Sequence, residues 1–360
     1  MKIGKHEIKH PIIQGGMGVG ISWDQLAGNV SKEGALGVIS AVGTGYYRNR
    51  SENVQIITKK DKPKDVANFY NKDSLNEIIQ NARKICGDAP LGCNILYAIN
   101  DYGRVVKDAC EAGVDIIITG AGLPTNMPEF TKDYPDVALV PIVSSARALK
   151  LICKKWEKYG KIPDAVIVEG PLSGGHQGFK YEDCFKEEFQ LENIVPPVIE
   201  EAKKWGDNIP IIAAGGIWDK NDIDKFIAMG CSGVQMATRF IGTFECDAHQ
   251  NLKEVLINAE KDDIKLGKSP VGLPARSVRT KLHFSMENNT APKVQCISNC
   301  VAPCNRGHEA KIVGYCIADR LGAAYNGDQD TGLFFTGSNG YRIDKLISVK
   351  ELIEKLTQGE

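Results

Sequence analysis

No apolar run in this 360-residue chain approaches the roughly 20 residues that cross a bilayer, so no membrane span is expected. The opening segment, Met1-Lys-Ile-Gly-Lys-His-Glu-Ile-Lys-His10, lacks the apolar stretch of a secretory signal. An excess of positive charge is also missing: 44 basic side chains face 45 acidic ones. That balance argues against nucleic acid or a membrane surface as partner, since either favours a basic patch. There is no low-complexity tract and no internal repeat larger than a strand–helix unit. These absences point to a cytoplasmic protein acting on a small-molecule substrate. Disulfides are not expected in that reducing compartment.

Apolar residues make up 42% of the chain, enough for a full core. The length allows one large domain with an appendage, or two domains. Eight short runs read as strands: Pro11–Gln14, Leu36–Ser40, Leu91–Ile95, Val114–Thr119, Ala138–Val143, Ala165–Glu169, Ile209–Ala213 and Gly233–Met236. They are rich in Ile and Val and do not alternate with polar residues, the mark of strands buried on both faces. Helical spacing of apolar residues appears between them, at Asp101–Ala112, Ser144–Tyr159 and Lys220–Met229. Eight such units in about 250 residues predict an α/β fold, a TIM (β/α)8 barrel over residues 1–250. The rhythm stops near Asn251, so 251–360 is expected to be a smaller C-terminal mixed extension ending in a helix, Val349–Leu356. Gly45–Lys72 is polar and aperiodic, a candidate lid or substrate loop.

In a TIM barrel the active site lies at the C-terminal ends of the strands, and phosphates favour the loops after strands seven and eight. Those loops here are Ala213-Ala-Gly-Gly-Ile217 and Gln235-Met-Ala-Thr238. The glycines, Gly215 and Gly216, let backbone N–H groups come close to an anion, and Thr238 adds a hydroxyl. Either loop can also be a plain tight turn. After the first strand, Gly15 and Gly16 permit contact with a flat ring and Met17 can pack on it; a turn with a core methionine reads equally well. Asn94 ends the third strand with a donor and an acceptor, fit to read a heterocycle edge or to cap a turn. The segment Ser173-Gly-Gly-His-Gln-Gly178 follows the sixth strand. Its glycines let the chain approach a ligand, and His176 has the near-neutral basicity that proton transfer needs. The other histidines singled out, His249, His283 and His308, read as surface or structural.

Of the 11 cysteines, Cys86, Cys93, Cys110, Cys153, Cys184, Cys231 and Cys246 sit in apolar surroundings and read as small buried hydrophobes. Cys296, Cys300, Cys304 and Cys316 crowd together in a spacing that is not a usual zinc pattern. Four thiolates can hold a [4Fe-4S] cluster; buried thiols in a helix or turn are the plainer alternative.

Taken in order, Gln14-Gly-Gly-Met17, Gly120-Ala-Gly-Leu-Pro124, Gly174-Gly-His-Gln-Gly178, Ala213-Ala-Gly-Gly-Ile217 and Gln235-Met-Ala-Thr-Arg-Phe240 resemble the nitronate monooxygenase (2-nitropropane dioxygenase) family, kin to the flavin-dependent enoyl-acyl-carrier-protein reductases. The resemblance covers about residues 8–245. It implies a TIM barrel holding FMN non-covalently, with His176 in the catalytic position. By the same resemblance, FMN contacts fall on Gly16, Met17, Asn94, Glu169, Gly174, Gly175, Gly215, Gly216, Gln235, Met236, Ala237 and Thr238. This chain departs from the pattern at Glu169, where many members carry Gln, and at Ala237, where Gly is usual. It also reads Glu-Gly-Pro-Leu-Ser before the glycine-histidine motif. The cysteine spacing is similar to that of flavin ene-reductases that carry an iron–sulfur cluster. The inosine-monophosphate dehydrogenase type shares the barrel but uses a cysteine after the sixth strand, where this chain has His176.

The resemblance implies FMN-dependent oxidation of alkyl nitronates, with His176 as base. The alternative is NAD(P)H-dependent reduction of an enoyl thioester, with an acyl carrier protein as partner; Lys59, Lys60, Lys62 and Lys64 offer it a basic rim, although a solvated charged loop is the plainer reading of them. A flavin-binding redox sensor without turnover is the third reading, and the cysteine cluster is its support.

Overall fold

Eight runs rich in Val, Ile and Leu become parallel strands, buried on both faces. The computed structural model describes residues 1–47, 70–206, 208–288, 290, 300 and 314–359. Its barrel strands are β1 (Ile12–Gln14), β2 (Gly37–Ser40), β3 (Leu91–Leu96), β4 (Ile116–Gly120), β5 (Ala138–Val143), β6 (Val166–Glu169), β7 (Ile211–Ala214) and β8 (Gly233–Met236). Each lies within two residues of the run read from sequence. They pair in parallel in the order β1-β8-β7-β6-β5-β4-β3-β2, and a bridge between Ile13 and Leu36 joins the two ends into a ring. At that seam the ladder is short, and the buried Gln14 side chain adds to it: Oε1 accepts the Val38 N–H at 3.0 Å. The expected TIM barrel is present.

Successive strand residues face opposite sides. One set, including Ile13, Val38, Ile118, Val140, Ile167 and Ile212, fills the barrel interior. The other, including Ile39, Cys93, Ile117, Leu139, Val168 and Val234, packs outward against the helices. The N-terminal hairpin, Lys2–Ile3 against His6–Glu7, plugs the N-terminal end with Ile3 and Ile8. The opposite, C-terminal end carries the polar residues discussed below.

The outer helices are α1 (Asp24–Lys32), α2 (Lys72–Cys86), α3 (Tyr102–Glu111), α4 (Met127–Phe130), α5 (Ala146–Trp156), α6 (Leu191–Ala202), α7 (Lys220–Ala228) and α8 (Thr238–Ile241). Side-chain caps start several of them. Asn71, Ser145 and Asp219 accept backbone N–H groups at the N-termini of α2, α5 and α7. In α6, Pro196 and Pro197 lie inside the helix, although proline removes an N–H and crowds the preceding turn. Burial of Leu191, Ile194, Val195 and Val198 on one face holds α6 against the barrel.

After β8 the chain makes a long excursion that begins and ends at one point, a bridge between Thr243 and Ile347. The excursion carries α9 (Gln250–Ile257), α10 (Lys281–Glu287) and α11 (Ile317–Tyr325). It also carries two strands, Ile264–Lys268 and Pro274–Val278, which form an antiparallel sheet with Gly175–His176. Beyond the bridge, α12 (Val349–Gln358) packs against both α1 and α7. It buries Val349, Leu352, Ile353 and Leu356 in the same core as the barrel strands. The last helix thus fills the place in the outer ring between α7 and α1.

Most of the polar loop 45–72, including Lys59, Lys60, Lys62 and Lys64, lies outside the described residues. Among the described residues, no helix is long and apolar enough to cross a membrane.

Candidate active site at the barrel mouth

Strand alternation decides which side chains line the mouth. Inward-facing positions along β3, β6 and β8 end in Asn94, Glu169 and Gln235: Asn94 is in register with the interior Ile118 of β4, and Glu169 and Gln235 flank the interior Ala214 of β7. Three polar groups therefore stand on an apolar floor, and Gln235 and Glu169 carry the cost of that position. The Gln235 Oε1 atom is buried with no hydrogen-bond partner among the described residues. The Asn94 side chain is buried and makes no hydrogen bond within the described structure. Burial with no compensating positive charge pushes the Glu169 carboxyl up to about 7.

Glycine turns bring backbone to the same mouth. Gly16 lies against Asn94 and Gly15 against the Gln235 side chain, which leaves no room for a Cβ at Gly16. The Gly15 N–H is held by the Met236 carbonyl at 2.9 Å, and the Met17 N–H by the Ser22 hydroxyl at 2.8 Å. Met17 itself is half-buried. After β7, Gly215 and Gly216 take φ of +102° and +84°, left-handed values that disfavour any side chain. Met236 points outward into the strand–helix core, so only its backbone belongs to the mouth.

The loops after β6, β7 and β8 are tied together from the excursion. The Gly337 N–H donates to the Thr238 hydroxyl at 2.8 Å, the Ser338 N–H to the Leu172 carbonyl at 3.0 Å, and the Asn339 amide to the Gly216 carbonyl at 2.7 Å. Gly174 meets this segment with no space between them: a Cβ there would stand 2.7 Å from the Thr336 backbone carbon. The Ala237 residue completes the turn into α8.

His176 is held on a short strand. Gly175 and His176 pair with Arg276 and Ala275 of the excursion sheet. The ring Nε2 hydrogen-bonds the Ser269 hydroxyl at 2.8 Å, and the Phe335 ring meets it edge-on at 5.4 Å. Burial lowers its pKa to about 4, so the ring is neutral at pH 7. Behind it, the buried Gln177 amide donates to the Ser173 and Gly175 carbonyls, both at 2.9 Å, and accepts the Ser173 hydroxyl. Arg276, also buried, donates to the Pro171 and Ser173 carbonyls. The loop bearing His176 is thereby fixed from both sides.

Ser269, Arg276, Phe335 and Asn339 were not among the residues that sequence reasoning brought forward. They lie far along the chain, in a segment without βα rhythm, and nothing local marks them. Gln177 was visible only as a letter in the histidine motif.

The seven scattered cysteines are buried, as expected. Burial pushes the thiols of Cys110, Cys153 and Cys231 up to about 12, which leaves them protonated and inert. In the crowded set, Cys300 and Cys316 are buried, while Cys296 and Cys304 lie outside the described residues. Among the described residues no group of three or more His, Cys, Asp or Glu side chains is arranged to hold a metal ion. The iron–sulfur expectation thus falls in part on residues outside those described.

The family model described as Nitronate monooxygenase matches residues 1–359. Among curated proteins, a (3aS,4S,5R,7aS)-5-hydroxy-7a-methyl-1-oxo-octahydro-1H-indene-4-carboxyl-CoA dehydrogenase of Rhodococcus jostii is similar, at 26% identity over 284 residues. That match covers 78% of this chain and 66% of the Rhodococcus protein, just under two thirds of its length. A probable nitronate monooxygenase of Staphylococcus saprophyticus is 27% identical over 79% of each chain. The structure of FabK from Thermotoga maritima superposes with a TM-score of 0.71 at 28% identity, covering 98% of this chain and 93% of that one.

Proposed function

This chain belongs to the nitronate monooxygenase family, a family of oxidoreductases, and on that premise we propose that it binds FMN at the barrel mouth and oxidises alkyl nitronates, with His176 as the base. The observation that carries the cofactor is the buried Gln235 Oε1 without a partner. An unsatisfied buried acceptor costs about 1–3 kcal/mol, and a ring N–H would remove that cost. Asn94, with its unused donor and acceptor, and Glu169 would read the same heterocycle edge. Glu169 replaces the amide many relatives carry, and its elevated pKa reconciles the two. Burial raises the carboxyl to about 7, which favours its neutral form, and a neutral acid offers a donor and an acceptor as an amide does.

Gly16 and Met17 would lie against the ring, with Gly174 and Gly175 close to it. The amides of Gly215, Gly216, Met236 and Ala237, with the Thr238 hydroxyl, would hold the FMN phosphate. FMN, when bound, supplies the electron-accepting chemistry, and dioxygen completes the oxidation. The chain's own task is to place the substrate and handle one proton. A neutral nitroalkane must lose its α-proton; a nitronate has already lost it. His176, neutral and with no partner on Nδ1 among the described residues, accepts that proton.

Oxygen uptake with ethyl nitronate, compared with neutral nitroethane, tests this. Turnover of both substrates is expected. No uptake with either, in FMN-loaded protein, overturns it.

A second reading, enoyl-thioester reduction with NAD(P)H, is favoured by an apolar rim near His176. Tyr181 and Phe185 stack edge-on at 5.4 Å, both exposed, and Tyr181 reaches the Leu266 carbonyl on the strand leading to Ser269. Such a rim suits an acyl chain, and the Rhodococcus relative is named for a carboxyl-CoA compound. An acyl carrier protein would be the natural carrier. NAD(P)H-driven turnover of a crotonyl thioester, without nitronate oxidation, selects this reading.

A further inference from the structure

The excursion hairpin pairs with His176 along the backbone and meets its ring with the Ser269 hydroxyl. Ser269 is almost fully buried, and its backbone is fixed by two hydrogen bonds, its N–H to the Leu273 carbonyl and its carbonyl from the Gly272 N–H, each 3.0 Å. Its Oγ accepts the Val271 N–H at 3.4 Å and meets His176 Nε2 at 2.8 Å. The buried Tyr315 phenol lies on the far side of the same hydroxyl. A hydroxyl has one proton to give and two lone pairs to offer. The ring and the Val271 N–H take two of these three positions, and the hydroxyl proton is left free to turn toward Tyr315.

We propose that Ser269 is a positioning residue for His176: its Oγ accepts the ring Nε2–H, its own proton goes to the Tyr315 oxygen, and the proton-accepting nitrogen turned to the substrate is Nδ1. This rests on the base role proposed above for His176. When the α-carbon–hydrogen bond of a nitroalkane breaks, the electron pair stays on the substrate as nitronate and the proton forms Nδ1–H. The Nε2–H of the resulting imidazolium already has its acceptor, so no group behind the ring needs to turn. The opposite tautomer would leave Nδ1 without a lone pair.

Several ionisable groups among the described residues stand near the ring. Arg276 stands one position along the partner strand, Tyr315 lies behind Ser269, Lys268 precedes Ser269, and Glu169 ends β6. None of them contributes to the lowered basicity of His176, which comes from burial. Ser269 is thus the polar partner that supports the protonated ring.

The test is nitrogen-15 NMR of histidine-labelled, FMN-loaded protein, with His176→Gln supplying the assignment, alongside steady-state kinetics on nitroethane and ethyl nitronate. The parent is expected to show the neutral Nε2–H tautomer. Ser269→Ala should mix the tautomers and move the acid limb of kcat/KM for nitroethane to lower pH. It should also slow nitroethane turnover by roughly 10- to 100-fold, the worth of one hydrogen bond to a charged ring, while ethyl nitronate turnover changes far less. Ser269→Thr, which keeps the hydroxyl, should restore the parent spectrum. If Ser269→Ala does not fold, Ser269→Cys, a weak acceptor of similar shape, reads the same quantity. A parent ring in the Nδ1–H form, or a tautomer unchanged by these substitutions, overturns the proposal. The spectra decide the role of Ser269 even if neither substrate turns over, in which case the functional reading fails separately.

Discussion

At the scale of single residues, the mouth of the barrel is a set of unresolved costs, and each makes a different prediction. Gln235 carries an acceptor that nothing satisfies. Gln235→Leu should leave the FMN-free protein as stable as the parent or more so, while weakening FMN binding about tenfold or more; urea unfolding and FMN titration read the two halves. Glu169 carries a buried carboxyl raised to about 7. The folded protein keeps a proton there that the unfolded chain has released above about 4.5. The contribution of this group to stability is therefore fully present at low pH and is lost as pH rises through about 7. FMN-free Glu169→Gln should be more stable than the parent at pH 8 by on the order of 2 kcal/mol, and equal to it in acid. His176 is shifted the other way, to about 4. It stays neutral above that value, so kcat/KM for nitroethane should be flat from pH 8 down to near pH 5 and fall beyond. His176→Asn should slow nitroethane oxidation by about 10²- to 10⁴-fold and ethyl nitronate oxidation much less.

At the scale of elements, the strands were legible because burial on both faces leaves a continuous Ile and Val signature. The alternation that places Asn94, Glu169 and Gln235 inside the mouth follows from strand register alone, once the ends are known. Helix α6 was harder to see, since Pro196 and Pro197 contradict helical propensity and only packing against β6 and β7 overrides it. The ties between loops could not be read at all. Thr238 was singled out for its hydroxyl as a ligand group, yet that hydroxyl already accepts the Gly337 N–H from 99 residues away. This contact gives the glycines a second duty. Gly174→Ala would drive a methyl group into the Thr336 and Gly337 backbone. It should cost about 1–3 kcal/mol and loosen FMN binding together with it, as urea midpoints and FMN titration would show.

At the scale of the whole molecule, sequence rhythm alone assigned the barrel to the first 250 residues and treated the rest as an extension. The rhythm ends there because a hundred-residue excursion separates β8 from α12, not because the ring is complete. Val349, Leu352, Ile353 and Leu356 of α12 share the core of the barrel helices, and the excursion between supplies Ser269, Arg276 and the Gly337–Asn339 ties. Leu352→Ala should therefore cost about 2–5 kcal/mol in urea unfolding, as a barrel-core truncation does, although it lies far from β1 to β8 in sequence. The central claim concerns what the mouth holds. The most direct measurement is the visible spectrum of the purified full-length protein, before and after incubation with FMN and gel filtration, with any released flavin identified by mass. The expected result is flavin absorption with FMN retained at one per chain, and weakened retention in Gln235→Leu. A colourless protein that retains no FMN after reconstitution would contradict it.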